Sequence, residues 1–374
     1  MSKAKDVLIV GGGIAGLSTA IGLKEADVSV DLVELNPEWN VYGVGIIQLA
    51  NALRALAALG LAQPAVENGF PMEGLEMFAP NGHRIMNQPQ PKIAGPNFPP
   101  QNGIARPVLH KILQDAALAT GLNVKLGITV DSIEDAGAKV AVTFTDGTSK
   151  DYDLVVGCDG LRSQVRQLVF ADAPEPKYEG QMVWRYNVKR PESTKDIQMY
   201  MGHPKVGLVP LSDEMMYIFI TDAAVDGILR VPNEDLAVEM RQRLDAYGEL
   251  FAEIKVQITD PDEVVLRPFE TILVPAPWNR GRVVLLGDAA HTMTAHIAQG
   301  AAMAIEDAVV LTEELKKQDS VVEALAAYNE RRYERVATLV QLSQQICECE
   351  RDNVNTDKIP GLMMQANKIA AEPI

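Results

Sequence analysis

Three groups of residues in this 374-residue chain have types and spacings suited to chemistry. The first is Gly11, Gly13 and Gly16, which form G-x-G-x-x-G between a short β-rich run, Asp6 to Val10, and a segment with apolar residues at helical spacing. Gly11 permits a tight turn, Gly13 lets backbone approach a pyrophosphate, and Gly16 lets the helix pack closely on the strand. The helix N-terminus then offers unpaired N–H groups and a positive dipole end to phosphate. Glu34 closes the next β-rich run, where an acid accepts hydrogen bonds from an adenosine ribose. Together these predict a dinucleotide site, without deciding between NAD(P) and FAD.

The second group is "GDAAHTMTAHIAQG", residues 287 to 300. His291 and His296 are five apart by number, so they do not match the H-x-x-x-H zinc spacing, and no third ligand is evident; no metal is expected. The third is "DLVVGCDGLRSQVR", residues 153 to 166, a buried strand ending at Asp159 and Gly160 before a short helix. Alone, it is equally readable as strand-to-helix punctuation.

The elements around these groups follow a recognisable order. Strand, glycine turn, helix and strand open the chain, the first unit of a doubly wound parallel sheet. Residues 49 to 69 read as one or two helices broken at Gly60, residues 74 to 86 as a hairpin turning at Asn81-Gly82, and the proline-rich stretch 87 to 102 as a loop. A helix is expected from Pro107 to Thr120 and several strands from 123 to 157. Residues 172 to 273 change texture to short alternating runs with one helix near 233 to 247, an antiparallel sheet inserted into the first domain. "GRVVLLGD" returns to Rossmann-like grammar, followed by helices from about Gln299 to Lys317 and Val321 to Glu350. The expected domains are therefore a discontinuous cofactor-binding unit, 1–171 and 274–352, that includes substrate-side strands at 70–105; an inserted substrate unit, 172–273; and a C-terminal tail, 353–374, without a clear period. The fold class is α/β: a Rossmann-like domain, an inserted antiparallel sheet and a long C-terminal helix.

Composition narrows the partners. With 34 basic and 50 acidic residues the formal charge is −16, which opposes nonspecific binding to nucleic acid or anionic lipid. No apolar run approaches the roughly 18 residues of a membrane span. The N-terminus enters a strand too early to leave room for a signal peptide, and three cysteines are too few for a disulfide framework. A reduced cytoplasmic location and a small ligand are expected.

Taken together, the three segments resemble the signature of the FAD-dependent aromatic hydroxylases, the p-hydroxybenzoate hydroxylase-like flavoprotein monooxygenases. The likeness spans nearly the whole chain in the right order. It implies FAD as cofactor, NADH or NADPH and O2 as co-substrates, and hydroxylation of an electron-rich aromatic or N-heteroaromatic substrate through a C4a-hydroperoxyflavin. By the same likeness Gly11, Gly13, Gly16 and Glu34 hold the ADP half of FAD, Arg106 lies near the cofactor, Asp159 and Gly160 match the family's DG pair, and Asp288 meets the ribityl chain. Gly43, Gly45 and the turn through Gly300 lie by the flavin ring, and Ala15, Val130 and Ala301 are also assigned to the cofactor. A helix starting near Gln299 would direct its positive end at the flavin.

"AQGAAMAIEDAVVL" is similar to the branch with salicylate-type and 6-hydroxynicotinate-type hydroxylases. Ala295 stands where many members have proline, Ala298-Gln299-Gly300 replaces G-Q-G, and Ile47 replaces the histidine of the 6-hydroxynicotinate enzymes, so that substrate is not carried over. On the substrate side His296 is the leading polar group, since imidazole accepts a phenolic proton near neutral pH; a purely structural role is an equal alternative. His291 is read as structural. Arg185 and Tyr217, on strands of the inserted sheet, are candidates to bind a carboxylate or phenol, with an ion pair or core packing as the alternative for each. Met201, Met215, Met216 and Met293 are candidate pocket walls, and "NERRYERV", 329 to 336, reads as a solvated helix face. A halogenase is disfavoured because Trp39, Trp184 and Trp278 are far apart and form no W-x-W motif. A reductase or dehydrogenase of the same fold, and a flavin-binding redox sensor without turnover, stay open. A homodimer is compatible with the sequence.

Overall fold

A computed structural model describes residues 4–24, 28–41 and 43–374. The far end of the first expected helix, at residues 25 and 26, lies outside the described residues.

The first layer is a six-stranded sheet in the order Asn279–Arg280, Val283–Leu285, Leu154–Gly157, Asp6–Val10, Ser29–Glu34, Asn123–Leu126. All its pairings are parallel except the terminal Asn279–Arg280 edge. Its central strands read as continuous apolar runs because helices cover both faces. Val7, Leu8 and Ile9 are fully buried, as are Leu154, Val155 and Val156. The helix Ile14–Lys24 packs on the 18-residue helix Gly300–Lys317, and glycine makes that contact possible: a Cβ on Gly22 would lie 2.6 Å from Thr312 Oγ1.

A seven-stranded sheet forms the second layer, in the order Val265–Thr271, Lys177–Lys189, Met215–Ala223, Lys205–Pro210, Ile197–Tyr200, Gly74–Phe78, Arg84–Pro89. It is antiparallel except where Ile197–Tyr200 runs parallel to Gly74–Phe78. Period-two alternation sorts its side chains. Trp184, Tyr186, Leu208, Met216, Ile218 and Ile220 enter a core closed by the short helices Leu236–Gln242 and Glu249–Lys255. Their neighbours Val183, Arg185, Tyr217, Phe219 and Thr221 face the other way, toward the first layer.

Several expectations change in detail. The helix expected near 233 to 247 is shorter, Leu236–Gln242, and a second short helix that was not expected, Glu249–Lys255, follows Gly248. The proline-rich stretch 87 to 102 is a loop only in its middle, because Arg84–Pro89 pairs with Gly74–Phe78 and Gln101–Ala105 with Gly45–Leu49. The final residues, expected as a tail, form the helix Ile359–Ala371. Arg54 donates to the carbonyls of Ala370, Ala371 and Glu372, and Arg335 to those of Ile369 and Ala370, so two distant cations cap its C-terminus. Nor is "NERRYERV" a solvated face, since Arg332 is fully buried between Glu306, at 2.7 Å, and Asp307, at 2.8 Å.

Candidate active site

Between the two sheet layers lies a cavity of about 400 Å³. Its floor comes from three chain returns of the Rossmann-like layer: Gly13 and Ala15 after the first strand, Cys158 and Gly160 after Leu154–Gly157, and Asp288 after Val283–Leu285. These turns converge because parallel strands place their C-terminal ends on one edge. Gly300 and Ala301, the first residues of the helix Gly300–Lys317, close the floor with a helix N-terminus. The roof is the odd-numbered face of the second sheet, Val183, Arg185, Tyr217, Phe219 and Thr221, with Met199, Lys205 and Phe269. Gly45 lets the roof approach: a Cβ there would lie 2.4 Å from the Tyr217 ring.

The glycine turn has the expected division of labour. Gly11 has φ +104°, and a Cβ on it would meet Cys158 O at 2.5 Å. On Gly16 a Cβ would lie 1.9 Å from Gly11 O, while on Gly13 it would meet nothing within 4 Å and project into open space. Glu34 stands at the end of its strand as expected, and its carboxylate accepts from Gly12 N at 2.7 Å and Asn36 N at 2.8 Å. Trp39 Nε1 donates to Gly12 O at 3.0 Å, and His110 Nε2 lies 2.8 Å from the same oxygen, fixing the turn from outside.

Of the other cofactor-side residues, Gly45, Arg106, Gly160, Asp288, Gly300 and Ala301 line the cavity with Gly13 and Ala15. Gly11, Gly16, Glu34, Val130 and Asp159 do not. Val130 is fully buried in the main core, and Asp159 serves the adjacent helix, accepting from Ser163 Oγ, Gln164 N at 2.7 Å and Val165 N at 3.0 Å. Asp288 lines the cavity and is exposed to it, has no side-chain hydrogen bond among the described residues, and desolvation by the surrounding protein raises its carboxyl above the ordinary range. An orphaned acid, an open glycine and a helix N-terminus around one cavity fit a dinucleotide cofactor such as FAD.

His296, Tyr217 and Arg185 all reach the cavity. Arg185 has no hydrogen bond or ion pair among the described residues. Burial pulls its guanidinium down and Tyr217 opposes this; burial also pushes the Tyr217 phenol up to about 12, with Arg185 opposing. The pair therefore presents a cation and a neutral hydroxyl at neutral pH. His296 is sequestered: its side chain is 1% exposed, Nδ1 lies 2.9 Å from Thr294 Oγ1, and Nε2 lies 3.3 Å from Glu350 Oε2, off the line of a made hydrogen bond. Lys205 pairs with the other Glu350 oxygen. His291 does not reach the cavity; its Nε2 lies 2.6 Å from Asp307 in the buried cluster with Arg332. Among the methionines, Met293 lines the cavity, Met216 lies in the opposite core, and Met201 and Met215 are exposed. Sequence reading missed Lys205, Phe219, Phe269 and Glu350. Alternation from Tyr217 would have found Phe219, whereas nothing local marks Glu350. Among the described residues no group of three acids, cysteines or histidines could hold a metal, and no helix is long and apolar enough to cross a membrane.

A nucleotide fingerprint, an unpartnered acid and a helix N-terminus under an antiparallel roof are the features of a flavoprotein monooxygenase. The chain belongs to that class: residues 4–343 match the FAD binding domain family. It is 36% identical over 320 residues to 2-heptyl-3-hydroxy-4(1H)-quinolone synthase of Pseudomonas aeruginosa, covering 82% of this chain and 79% of that protein. It is 30% identical over 363 residues to the FAD-dependent urate hydroxylase of Klebsiella oxytoca, covering 91% and 89%. Among solved structures, Klebsiella pneumoniae HpxO complexed with FAD and uric acid superposes with a TM-score of 0.86 at 24% identity, over 100% of this chain and 94% of that one.

Proposed function

We propose that this chain uses NAD(P)H and O2 to hydroxylate an electron-rich aromatic or N-heteroaromatic ring that carries an ionisable oxygen or a carboxylate. The observation that carries this reading is Arg185, a cation enclosed in the cavity roof without a hydrogen bond or ion pair among the described residues. A buried guanidinium left unpaired is costly, so an anionic group on the substrate is its natural complement. The sequence relatives named for a quinolone and for urate are consistent with a heteroaromatic ring.

When bound, FAD supplies hydride acceptance from NAD(P)H and the activation of O2. The chain's own residues do the rest. Arg185 holds the anionic edge of the ring, and Tyr217, kept neutral by burial, donates a hydrogen bond beside it. Val183, Met199, Phe219, Phe269 and Met293 enclose the ring's faces and exclude water. Asp288 and the Gly300 helix N-terminus belong to the cofactor side, with Arg106 adding positive charge there. The three free cysteines suit a reducing cytoplasm.

The test is a screen of hydroxylated benzoates, pyridines and quinolones for substrate-triggered NAD(P)H oxidation with product analysis. One compound should give NAD(P)H consumed, O2 consumed and hydroxylated product in equal amounts. Peroxide released quantitatively with every compound, and no oxygenated product, would remove the hydroxylase reading, whereas a reduced product formed without O2 uptake would favour a reductase.

A further inference from the structure

Gly12, the middle of the three consecutive glycines 11 to 13, has both of its backbone polar groups held by side chains. Its N–H donates to Glu34 Oε2 at 2.7 Å, and its carbonyl faces two nitrogens at once, Trp39 Nε1 at 3.0 Å and His110 Nε2 at 2.8 Å. A carbonyl only accepts, so His110 carries its hydrogen on Nε2. In a planar trans peptide the C=O of one residue and the N–H of the next point in opposite directions. With the Gly12 carbonyl turned outward to Trp39 and His110, the Gly13 N–H is turned the other way. That N–H has no acceptor among the described residues, and Gly13 lines the cavity with open space where a Cβ would stand. We propose that Trp39 and His110 are positioning residues for the cofactor: by holding the Gly12 carbonyl from two sides, they preset the Gly12–Gly13 peptide so that the Gly13 N–H is presented to the pyrophosphate of FAD. The inference rests on FAD binding and not on the hydroxylase reading.

Both donors come from outside the glycine turn. His110 lies in the helix Arg106–Ala119, and Gln114, four residues on and so on the same helix face, donates to the Trp39 carbonyl at 2.9 Å. Trp39 stands at φ +48°, a left-handed conformation that an aromatic residue keeps only where its surroundings over-determine it. They do so here. Its N–H donates to Asn36 O at 3.2 Å, its carbonyl accepts from Gln114, and its indole N–H donates to Gly12. Asn36 is tied in turn to Glu34, whose Oε1 accepts from Asn36 N at 2.8 Å. Glu34 therefore holds the Gly12 N–H with one oxygen and, through Asn36, the tryptophan that holds the Gly12 carbonyl with the other.

The middle glycine is bound up with this clamp. G-x-G-x-x-G leaves position 12 unspecified, and Gly12 has no left-handed φ that would demand glycine. A Cβ on it would lie 2.3 Å from Trp39 Nε1, so the indole is what requires glycine there. Both lone pairs of the carbonyl are taken, and the peptide cannot turn over without breaking both bonds. Burial holds the His110 imidazole below its ordinary value, with the Gly12 carbonyl opposing, so the bond is made by a neutral ring at pH 7. A donor fixed before binding spares the ordering cost that a mobile peptide would incur.

Gly-Gly occurs in the chain only within residues 11 to 13. Glycine labelled with carbon-13 at the carbonyl and nitrogen-15 at the amide therefore gives filtered signals from the Gly12 and Gly13 amides alone. In the full chain stripped of flavin, adding FAD should move the Gly13 proton downfield and slow its exchange with water, while Gly12, already bonded to Glu34, changes less. A Gly13 signal indifferent to FAD would overturn the proposal whatever the variants do. Trp39→Phe keeps a ring but removes one donor, and His110→Leu removes the other; each should raise the Kd for FAD about 2- to 10-fold, the worth of one hydrogen bond. Together they should raise it by more than the product of the two, because either donor alone still holds the carbonyl. His110→Gln, which retains an N–H donor, should recover most of the single loss. A double variant that binds FAD like wild type and is weakened only in unfolding of the flavin-free chain would show that the two side chains merely stabilise the fold, and would also overturn the proposal. A failed substrate screen alongside the expected FAD results would count against the hydroxylase reading alone.

Discussion

The two histidines five residues apart end in two ionic clusters that are finished in different ways. His291 joins Asp307, Glu306, Arg332 and Arg335, where both carboxylates are fully buried and bonded on both oxygens, and none of the five lines the cavity. His296 joins Glu350 and Lys205 at the cavity wall, where Glu350 Oε2 and His296 Nε2 face each other without a completed bond. Both are buried and both mix signs, so burial and charge do not separate structure from chemistry here. Saturation of the carboxylates does. A cluster whose carboxylate oxygens are all taken holds elements together, here the helices Gly300–Lys317 and Val321–Asp352, whereas Glu350 keeps one oxygen without a hydrogen-bond partner among the described residues.

The sharpest way to break this contrast is at Arg332. Replacing it with Met leaves Glu306 and Asp307 buried with less compensation, and should cost about 3–5 kcal/mol in denaturant unfolding of the holoprotein. A cost below about 1 kcal/mol would mean the inner cluster is not structural. Next is Arg185→Met, which removes a cation that has no protein partner. It should lower kcat/KM for the screened anionic substrate by roughly 10- to 100-fold, the equivalent of about 1.5–3 kcal/mol of charged hydrogen bonding, without lowering the unfolding free energy. Equal activity would show that the substrate anion sits elsewhere.

The acid limb of stability sharpens the comparison further. Glu350 is depressed to about 2, so its stabilisation is complete above its unfolded value near 4.5 and is lost as pH falls toward about 2. The unfolding free-energy difference between wild type and Glu350→Gln should therefore shrink as pH falls from about 4.5 toward about 2. Asp307, also depressed because His291 and Arg332 outweigh its burial, contributes in the same direction in both proteins and cancels. The smallest effect is expected at Ala298, in the cavity wall, which occupies φ +52°, a left-handed conformation that costs a non-glycine residue about 1 kcal/mol. Ala298→Gly should recover up to about that amount in the same unfolding measurement.

The cofactor side was readable because its determinants are local. Gly11, Gly13 and Gly16 act within one strand–turn–helix unit, and the places of Asp288 and Gly300 follow from one further strand and helix. The departure of Ala298 from a glycine family position was visible too, but its left-handed backbone was not. On the substrate side, Arg185 and Tyr217 could be put on strands, and alternation put them on one face. What packs against that face could not be read, since Lys205 and Glu350 meet across 145 residues. "NERRYERV" misled for the same reason: a helix face rich in charge looks solvated unless its acidic partners on another helix are known.

The sequence by itself determined the dinucleotide turn, the order of the two layers and the polar residues available to each, because strand and helix periods and glycine spacing act over a few residues. Only the tertiary structure decided which histidine meets a fully bonded carboxylate, that Arg185 has no partner among the described residues, and that the end of a 32-residue helix places Glu350 behind His296. Those are properties of contacts between distant segments, set when the sheets and helices pack and the remaining lone pairs and charges find, or fail to find, a complement.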